Sequence, residues 1–260
     1  MPNLRDIGGY LTRGGAHVRT GLVYRSTALA RLEGADAVAF AALGIRTVYD
    51  LRTADERASA PDRLPPGTTH VVADVIADKV EGSPGHILRL LARPDVAERE
   101  LGGDRGRAIW IGHYRDFVRL DSARAAYGRL FSDMAFGARR PLLFHCSTGK
   151  DRTGWAAAAL LLLLDVAHED VVADYLASAR YVEAMLQPFA EEYGARGGDP
   201  GLVRSIFATL PEYLEASLDE VRDRYGDIEG YFADGLGIGR DAQAVIREAL
   251  LDPPVAIARD

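Results

Sequence analysis

Short apolar runs alternate with longer helical patterns in the first half of the chain. The runs are rich in β-branched and aromatic residues, and turn residues or a glycine separate them, as expected for strands. They lie at residues 21–26, 45–51, 70–75 and 141–145. Between the first two, residues 29–43 have helical spacing and stop at Gly44, where a C-cap is expected. Strands separated by helices predict an α/β fold with a parallel-rich central sheet flanked by helices.

The second half of the chain is helical in pattern. Residues 154–165 are apolar all round, which predicts a helix buried against the sheet. Other helices are predicted at residues 114–136, 169–190, 201–206, 214–225 and 241–251. Prolines and glycines interrupt residues 79–112, which are therefore predicted to form an insertion rather than part of the sheet. No linker rich in proline or serine divides the chain, so residues 1–260 are predicted to form one domain.

Composition narrows the functional classes. The 260 residues carry a net charge of −7, which disfavours general nucleic-acid binding. The single cysteine, Cys146, excludes an intrachain disulfide and a structural thiolate zinc site. The longest apolar run, residues 155–164, is far shorter than the ~20 residues that span a bilayer. The first residues do not have the pattern of a signal peptide, so a cytoplasmic location is expected.

One segment, FHCSTGKDRTG at residues 144–154, combines the features of an anion site with a nucleophile. A loop between a strand and a helix directs several backbone N–H groups into one concavity, where the helix dipole adds positive potential. The same environment lowers the pKa of a cysteine thiol, here Cys146. Arg152, six residues on, has a planar fork that can hold two phosphate oxygens, and Gly149 permits a tight turn. The segment predicts phosphoryl transfer to cysteine without a metal ion.

Each residue of this segment also has a purely structural interpretation. Most free cysteines are buried small apolar side chains, and an arginine at a helix start is commonly a surface residue. His145 either packs in the core or donates towards Cys146 and helps to lower the pKa of its thiol. The combination of histidine, cysteine, two glycines and arginine at fixed spacing in a strand–loop–helix context favours the catalytic interpretation.

HCSTGKDRTG resembles the cysteine-dependent phosphatase signature HCxxGxxR[ST]G. The rest of the chain is similar to the atypical bacterial tyrosine/lipid phosphatases at several further motifs. These are Asn3-Leu4-Arg5-Asp6 with Gly8-Gly9, Tyr24-Arg25-Ser26, Asp50-Leu51-Arg52, Asp174-Tyr175-Leu176 and Gly230-Tyr231. The resemblance implies a cysteine-dependent phosphatase fold with a helical lid, which residues 79–112 would form.

The resemblance also implies roles for the residues of the signature. Cys146 matches the nucleophile and Arg152 the phosphate-binding arginine. The intervening positions match the loop whose backbone binds phosphate: Ser147, Thr148, Gly149, Lys150 and Asp151. Lys79 and Lys150 are the only lysines among 31 basic residues. This rarity favours a functional role for the positive charge of Lys150. A second cation beside Arg152 suits a substrate with more than one phosphate or a phosphoinositide headgroup, whereas a solvated loop lysine is the plain alternative.

The general acid is less clearly indicated. A positioned carboxylic acid that protonates the leaving group contributes ~10²–10⁴-fold to the rate. Asp151 lies in the loop and matches the family's motif, whereas Asp74 and Asp78 follow the third predicted strand. Asp151 is the first choice on this ground, and a carboxylate at a helix N-terminus or a surface charge is the structural alternative for each.

The sequence therefore predicts a metal-independent protein-tyrosine-phosphatase that forms a phosphocysteine intermediate and needs no cofactor. Its expected substrates are phosphotyrosine proteins, with phosphoserine, phosphothreonine and phosphoinositides as further candidates. Two alternatives remain open, namely a catalytically silent phosphate-recognition module and a thiol-dependent oxyanion reductase or sulfurtransferase. Reductases of the arsenate type need partner cysteines, which this chain lacks. The sequence does not predict an oligomeric state.

Overall fold

The computed structural model describes residues 1–79 and 84–253. Its strands are β1 (Arg5–Asp6), β2 (His17–Val18), β3 (Val23–Ser26), β4 (Thr47–Asp50), β5 (Thr69–Val72), β6 (Leu142–His145) and β7 (Leu251–Asp252). Five of them form one sheet in the order β1-β3-β6-β4-β5, and β2 pairs with β7 in a separate two-stranded ladder. β1 runs antiparallel at one edge, whereas β3, β6, β4 and β5 are parallel to one another. The expected α/β fold and its four strands are confirmed.

Helices follow or separate these strands. They are α1 (Gly34–Ala42), α2 (Ala54–Ser59), α3 (Pro84–Leu91), α4 (Pro94–Leu101), α5 (Asp104–Arg119), α6 (Asp121–Met134), α7 (Arg152–Leu163), α8 (His168–Leu176), α9 (Ala179–Ala195), α10 (Pro200–Ile206), α11 (Pro211–Tyr225), α12 (Ile228–Gly230) and α13 (Arg240–Leu250). A 3₁₀ turn (Gly137–Arg139) precedes β6, and a π-helical turn (Tyr231–Gly235) follows α12.

The core forms where the central strands meet α7. Every residue of β3, β4 and β6 is buried, as expected for parallel strands covered on both faces. In α7 every residue except Leu162 is buried, and the helix packs against both β3 and β6. The apolar pattern of residues 154–165 therefore correctly predicted a central helix, whose first turn is fixed directly after the cysteine loop.

Two predicted helices are each divided in the structure. Residues 114–136 were expected as one helix, but Leu120 adopts an extended conformation (φ −65°, ψ 143°) that ends α5 and begins α6. Residues 169–190 are likewise shared between α8 and α9. The apolar periodicity continues across both breaks because the helices on either side bury faces in the same core, so the sequence pattern gave no sign of them.

Residues 79–112 comprise α3, α4 and the first part of α5, with residues 80–83 outside the described part of the chain. α4 and α5 pack against α10, and Trp110 near the end of the segment lies against Phe207. That this insertion is a lid stays a prediction. Across residues 1–79 and 84–253, the helices are all too short or too polar to cross a bilayer.

We predict that Leu160→Ala lowers the free energy of unfolding by about 2–5 kcal/mol, because it opens a cavity at a completely buried side chain of α7. The matched control is Leu88→Ala in α3, where the side chain is 51% exposed and the expected loss is below about 1 kcal/mol. Urea denaturation followed by circular dichroism measures both. Equal losses would show that α7 does not form the centre of the core.

Candidate active site

The loop between β6 and α7 lies at the carboxyl edge of the sheet. Cys146 directly follows β6 and is 1% exposed, and Arg152 is the first residue of α7. Ser26 and Asp50, the last residues of β3 and β4, both pair with His145. This is the edge at which α/β sheets bind ligands, and the structure brings the predicted nucleophile and arginine together there.

Gly149 makes the sharpest turn of the loop. Its φ is +66°, and a Cβ there would lie 2.4 Å from the Ser26 carbonyl oxygen and 2.8 Å from Asn3 Nδ2. Both the backbone conformation and the close contact require glycine. Substitution at this position would push the loop away from β3.

Polar side chains from the N-terminal part of the chain donate hydrogen bonds to the carbonyl oxygens of the loop. Asn3 Nδ2 donates to the carbonyls of Thr148 (3.3 Å) and Gly149 (3.1 Å), and Arg25 Nη2 donates to that of Gly149 at 2.7 Å. Within the described chain, the backbone amides of Ser147, Thr148 and Gly149 donate to no protein acceptor. With its carbonyls bonded on one side, the loop has amides available for an anion, and phosphate binding by these residues stays a prediction.

A buried ion-pair cluster fixes the residues behind the loop. Arg25 is completely buried, and its Nη1 donates to Asp174 Oδ2 at 2.5 Å. Arg5 Nε donates to the other oxygen of the same carboxylate at 2.7 Å. Burial opposes ionisation of Asp174, but the two guanidinium groups hold its pKa below the ordinary value. The cluster thus links β1, β3 and α8 to the loop.

Arg152 is held by Glu56 on α2. Its Nη1 donates to Glu56 Oε2 and its Nη2 to Glu56 Oε1, both at 2.7 Å. Burial opposes the charge on Glu56, but Arg152 lowers the pKa of this carboxyl well below its ordinary value. In the described chain no group accepts from Nε, so the Nε and Nη2 edge of the guanidinium is free to hold two phosphate oxygens.

Glu56 owes its place to the start of α2. Thr53 and Glu56 form a capping box, in which Thr53 Oγ1 accepts from the Glu56 amide and Glu56 Oε2 accepts from the Thr53 amide. Ser147 Oγ also donates to Glu56 Oε1, at 2.5 Å. The spacing Thr-x-x-Glu is a sequence signal for a helix start. It could have revealed α2, but not the contact of Glu56 with Arg152.

Lys150 and Asp151 face α5 and the segment before α11. Lys150 is buried, and its Nζ lies 3.0 Å from the carbonyl oxygens of Phe207 and Ala208 and 3.1 Å from Asp151 Oδ1. Asp151 Oδ1 also accepts from the Tyr114 hydroxyl at 2.8 Å. Lys150 is therefore not a solvated loop lysine. Its three contacts match the three N–H donors of the ammonium group. A role for Lys150 in binding a second phosphate stays a prediction.

The two remaining acid candidates differ in their surroundings. Asp78 Oδ2 accepts from the Ser122 amide at 2.6 Å, which is the contact of a carboxylate at the N-terminus of α6. Asp74 follows β5 at the carboxyl edge of the sheet. Burial raises the pKa of Asp74, against the lowering effects of the Ile76 amide and of Arg57 and Arg152. Asp74 is thus the candidate whose environment favours the protonated form.

Comparison with known protein families matches residues 1–252 to the tyrosine phosphatase family. The chain belongs to this family. The match covers the sheet, the cysteine loop and the helices that follow it, and it confirms the resemblance seen in the sequence. The fold and the enzyme class expected from that resemblance, a protein-tyrosine-phosphatase, are likewise confirmed.

Curated relatives of this tyrosine phosphatase span most of its length. A Cupriavidus necator protein whose name assigns it to the tyrosine-protein phosphatases is 32% identical over 242 residues, covering 92% of this chain and 82% of the relative. The triple specificity protein phosphatase PtpB of Mycobacterium tuberculosis is 31% identical over 277 residues, covering 96% of both chains. A tyrosine-protein phosphatase of Nostoc commune is 33% identical over 215 residues, covering 80% of this chain and 67% of the relative.

We predict that Asp174→Asn destabilises this tyrosine phosphatase by about 3–5 kcal/mol, because it leaves the buried Arg25 without its counter-charge. Asp165→Asn removes the exposed pair with Arg13 and is expected to cost at most about 1 kcal/mol. Urea denaturation at neutral pH compares the two variants. A loss from Asp174→Asn no larger than that from Asp165→Asn would contradict the buried cluster.

The stability difference between wild type and Asp174→Asn should depend on pH, and the sign of this dependence is defined. The folded-state pKa of Asp174 lies below the value of about 3.9 in an unfolded chain. Its contribution to stability is therefore complete above that value and is lost as the pH falls through the folded pKa. The stability difference between wild type and Asp174→Asn should shrink in acid, and a difference that grows below pH 4 would be the opposite result.

Proposed function

We propose that this phosphatase hydrolyses phosphate monoesters through a phosphocysteine intermediate without a metal ion. The Cys146 thiolate attacks phosphorus, the alkoxide or phenoxide leaves with a proton from an acid, and water then hydrolyses the thiophosphate ester. The observation that carries this proposal is the free Nε N–H and second Nη2 N–H of Arg152, which begins α7 directly after the loop with three unengaged amides. Together these donors would hold the oxygens of the transferring phosphoryl group.

For the general acid we propose Asp74 ahead of Asp151, the first choice from the sequence. The raised pKa of Asp74 supports this, because an acid must keep its proton until the leaving group departs. Asp151 is engaged by the Tyr114 hydroxyl of α5 and by the Lys150 ammonium. In this assignment Asp151 orients Lys150 and the first turn of α7.

Phosphotyrosine proteins are the proposed principal substrates, and broader specificity is the second part of the proposal. The name of the mycobacterial relative gives it triple specificity, which supports phosphoserine and phosphothreonine as further substrates here. Phosphoinositides are proposed from the resemblance of the signature alone, because the ammonium group of Lys150 is engaged by protein oxygens. A silent recognition module is disfavoured because both the nucleophile and the arginine are in place, and a reductase because the chain has one cysteine.

We predict that phosphate release from a phosphotyrosine peptide persists in excess chelator and falls more than about 10³-fold in Cys146→Ser. A phosphoinositide assayed in parallel measures the substrate preference. The melting temperature of Cys146→Ser, compared with that of wild type, controls for folding. Vanadate binding by wild type controls for an intact loop. Activity that the chelator abolishes, or that Cys146→Ser retains, would contradict the mechanism. Binding of phosphate without turnover would favour the recognition module.

We predict that Asp74→Asn lowers kcat by about 10²–10⁴-fold on phenyl phosphate and much less on p-nitrophenyl phosphate, whose leaving group needs no proton. The variant should also lose the fall in kcat at rising pH, since that fall reports deprotonation of the acid. Asp151→Asn and Asp78→Asn are the matched controls. If Asp151→Asn shows this leaving-group dependence and Asp74→Asn does not, the acid is Asp151.

A further inference from the structure

A row of buried charged side chains lies beneath the cysteine loop, apart from the groups assigned to phosphate. Arg52 donates from Nε to Asp50 Oδ1 at 2.8 Å and from Nη2 to Asp50 Oδ2 at 2.7 Å. The same Nη2 lies 2.9 Å from Asp62 Oδ2, which in turn lies 3.0 Å from His145 Nε2. All four side chains are at most 1% exposed. The row ends at His145, the residue before the proposed nucleophile Cys146.

Both ring nitrogens of His145 face oxygen acceptors. Nδ1 lies 3.2 Å from the carbonyl oxygen of Cys146, and Nε2 faces the carboxylate of Asp62. The Nε2 contact is not aligned as a hydrogen bond, so its attraction is that of an ion pair. Burial opposes the charge on Asp62, but His145 and Arg52 lower its pKa to about 2. A neutral ring would turn a lone pair towards one of these two oxygens, whereas a ring with a hydrogen on each nitrogen faces both oxygens with an N–H.

The other groups around His145 do not replace Asp62. On β4, Asp50 pairs with His145 in the sheet, but its carboxylate is bidentate with Arg52. On β3, Ser26 is uncharged and donates to the Thr27 carbonyl, whereas the neighbouring Arg25 is engaged by Asp174. Arg52, two residues after Asp50, balances the charge of that carboxylate. Asp62 is therefore the carboxylate that is left to face His145.

His70 on β5 closes the row on the solvent side. Its Nε2 lies 3.5 Å from Asp50 Oδ2 and 3.7 Å from Asp62 Oδ2, and its side chain is 36% exposed. Asp50, Asp62 and His70 could together offer three ligand atoms to a metal ion. Arg52 Nη2 already lies between the two carboxylates, at 2.7 and 2.9 Å, so a guanidinium supplies the positive charge there.

We propose that Asp62 is a positioning residue that acts through His145, holding the imidazolium against the Cys146 carbonyl and so stabilising the Cys146 thiolate. The inference rests on the proposed role of Cys146 as the nucleophile. A positive charge on the adjacent residue favours the ionised thiol, and it persists in a buried site only while a carboxylate compensates it. Replacing Asp62 with a neutral side chain removes that compensation, so the ring loses its proton and the thiolate loses a nearby cation.

The test is the titration of the single cysteine in Asp62→Asn. Asparagine keeps the shape of the side chain and the oxygen that accepts from the Leu29 amide at 2.8 Å. Because Cys146 is the only thiol in the chain, thiolate absorbance at 240 nm, referenced to Cys146→Ser at each pH, reports its pKa directly. We expect that pKa to rise by about one unit. The loss of kcat/KM should be largest at low pH and recover as the pH rises.

Two further variants separate positioning from a merely structural role. Asp62→Glu keeps the charge and should give a thiol pKa close to that of wild type. His145→Gln should raise it as Asp62→Asn does, and the double variant should show no further rise, because both changes remove one interaction. His145→Gln also tests the proposal if Asp62→Asn does not fold.

An unchanged thiol pKa in folded Asp62→Asn or His145→Gln, or additive shifts in the double variant, would overturn the proposal. The titration requires no turnover, so its outcome is independent of the proposed reaction. Failure of the proposed function would appear instead as activity that survives in Cys146→Ser.

Discussion

The site depends on the hydrogen bonds that hold the carbonyl oxygens of the cysteine loop. Arg25 and Asn3 reach these oxygens from the N-terminal part of the chain, and Asp174 supplies the counter-charge that lets Arg25 remain buried. A loop with its carbonyls bonded on one side offers its amides on the other. The glycine at residue 149 completes the arrangement because only glycine fits against β3 in that conformation. The anion binding that we propose would therefore follow from how the loop is anchored.

Two further ion pairs orient the groups that act in the proposed reaction. Glu56 aligns the guanidinium of Arg152 so that one edge stays free, and the carboxylate of Asp62 faces the ring of His145 beside Cys146. Buried ion pairs contribute little net stability, because the desolvation of both charges offsets their attraction. Their effect here is geometric and electrostatic, since each fixes the position or the charge of a residue at the phosphate site.

Local sequence determined the elements that need only a few neighbouring residues. The strands and the central helix follow from periodicity, and the cysteine loop from its spacing between a strand and a helix. The break at Leu120 was missed because both flanking helices bury the same kind of face. The capping box of α2 was readable in the sequence, but a helix of six residues has too little periodicity to attract notice without it.

The sequence by itself identified the proposed nucleophile, the arginine and the turn between them, because these belong to one short segment with its own strand and helix. Only the tertiary structure decided their partners. Glu56 and Arg152 are 96 residues apart, and Arg25 and Asp174 are 149 apart, so no local pattern connects them. They meet because parallel strands bring their carboxyl ends to one edge of the sheet, and burial there leaves a charge stable only beside an opposite one.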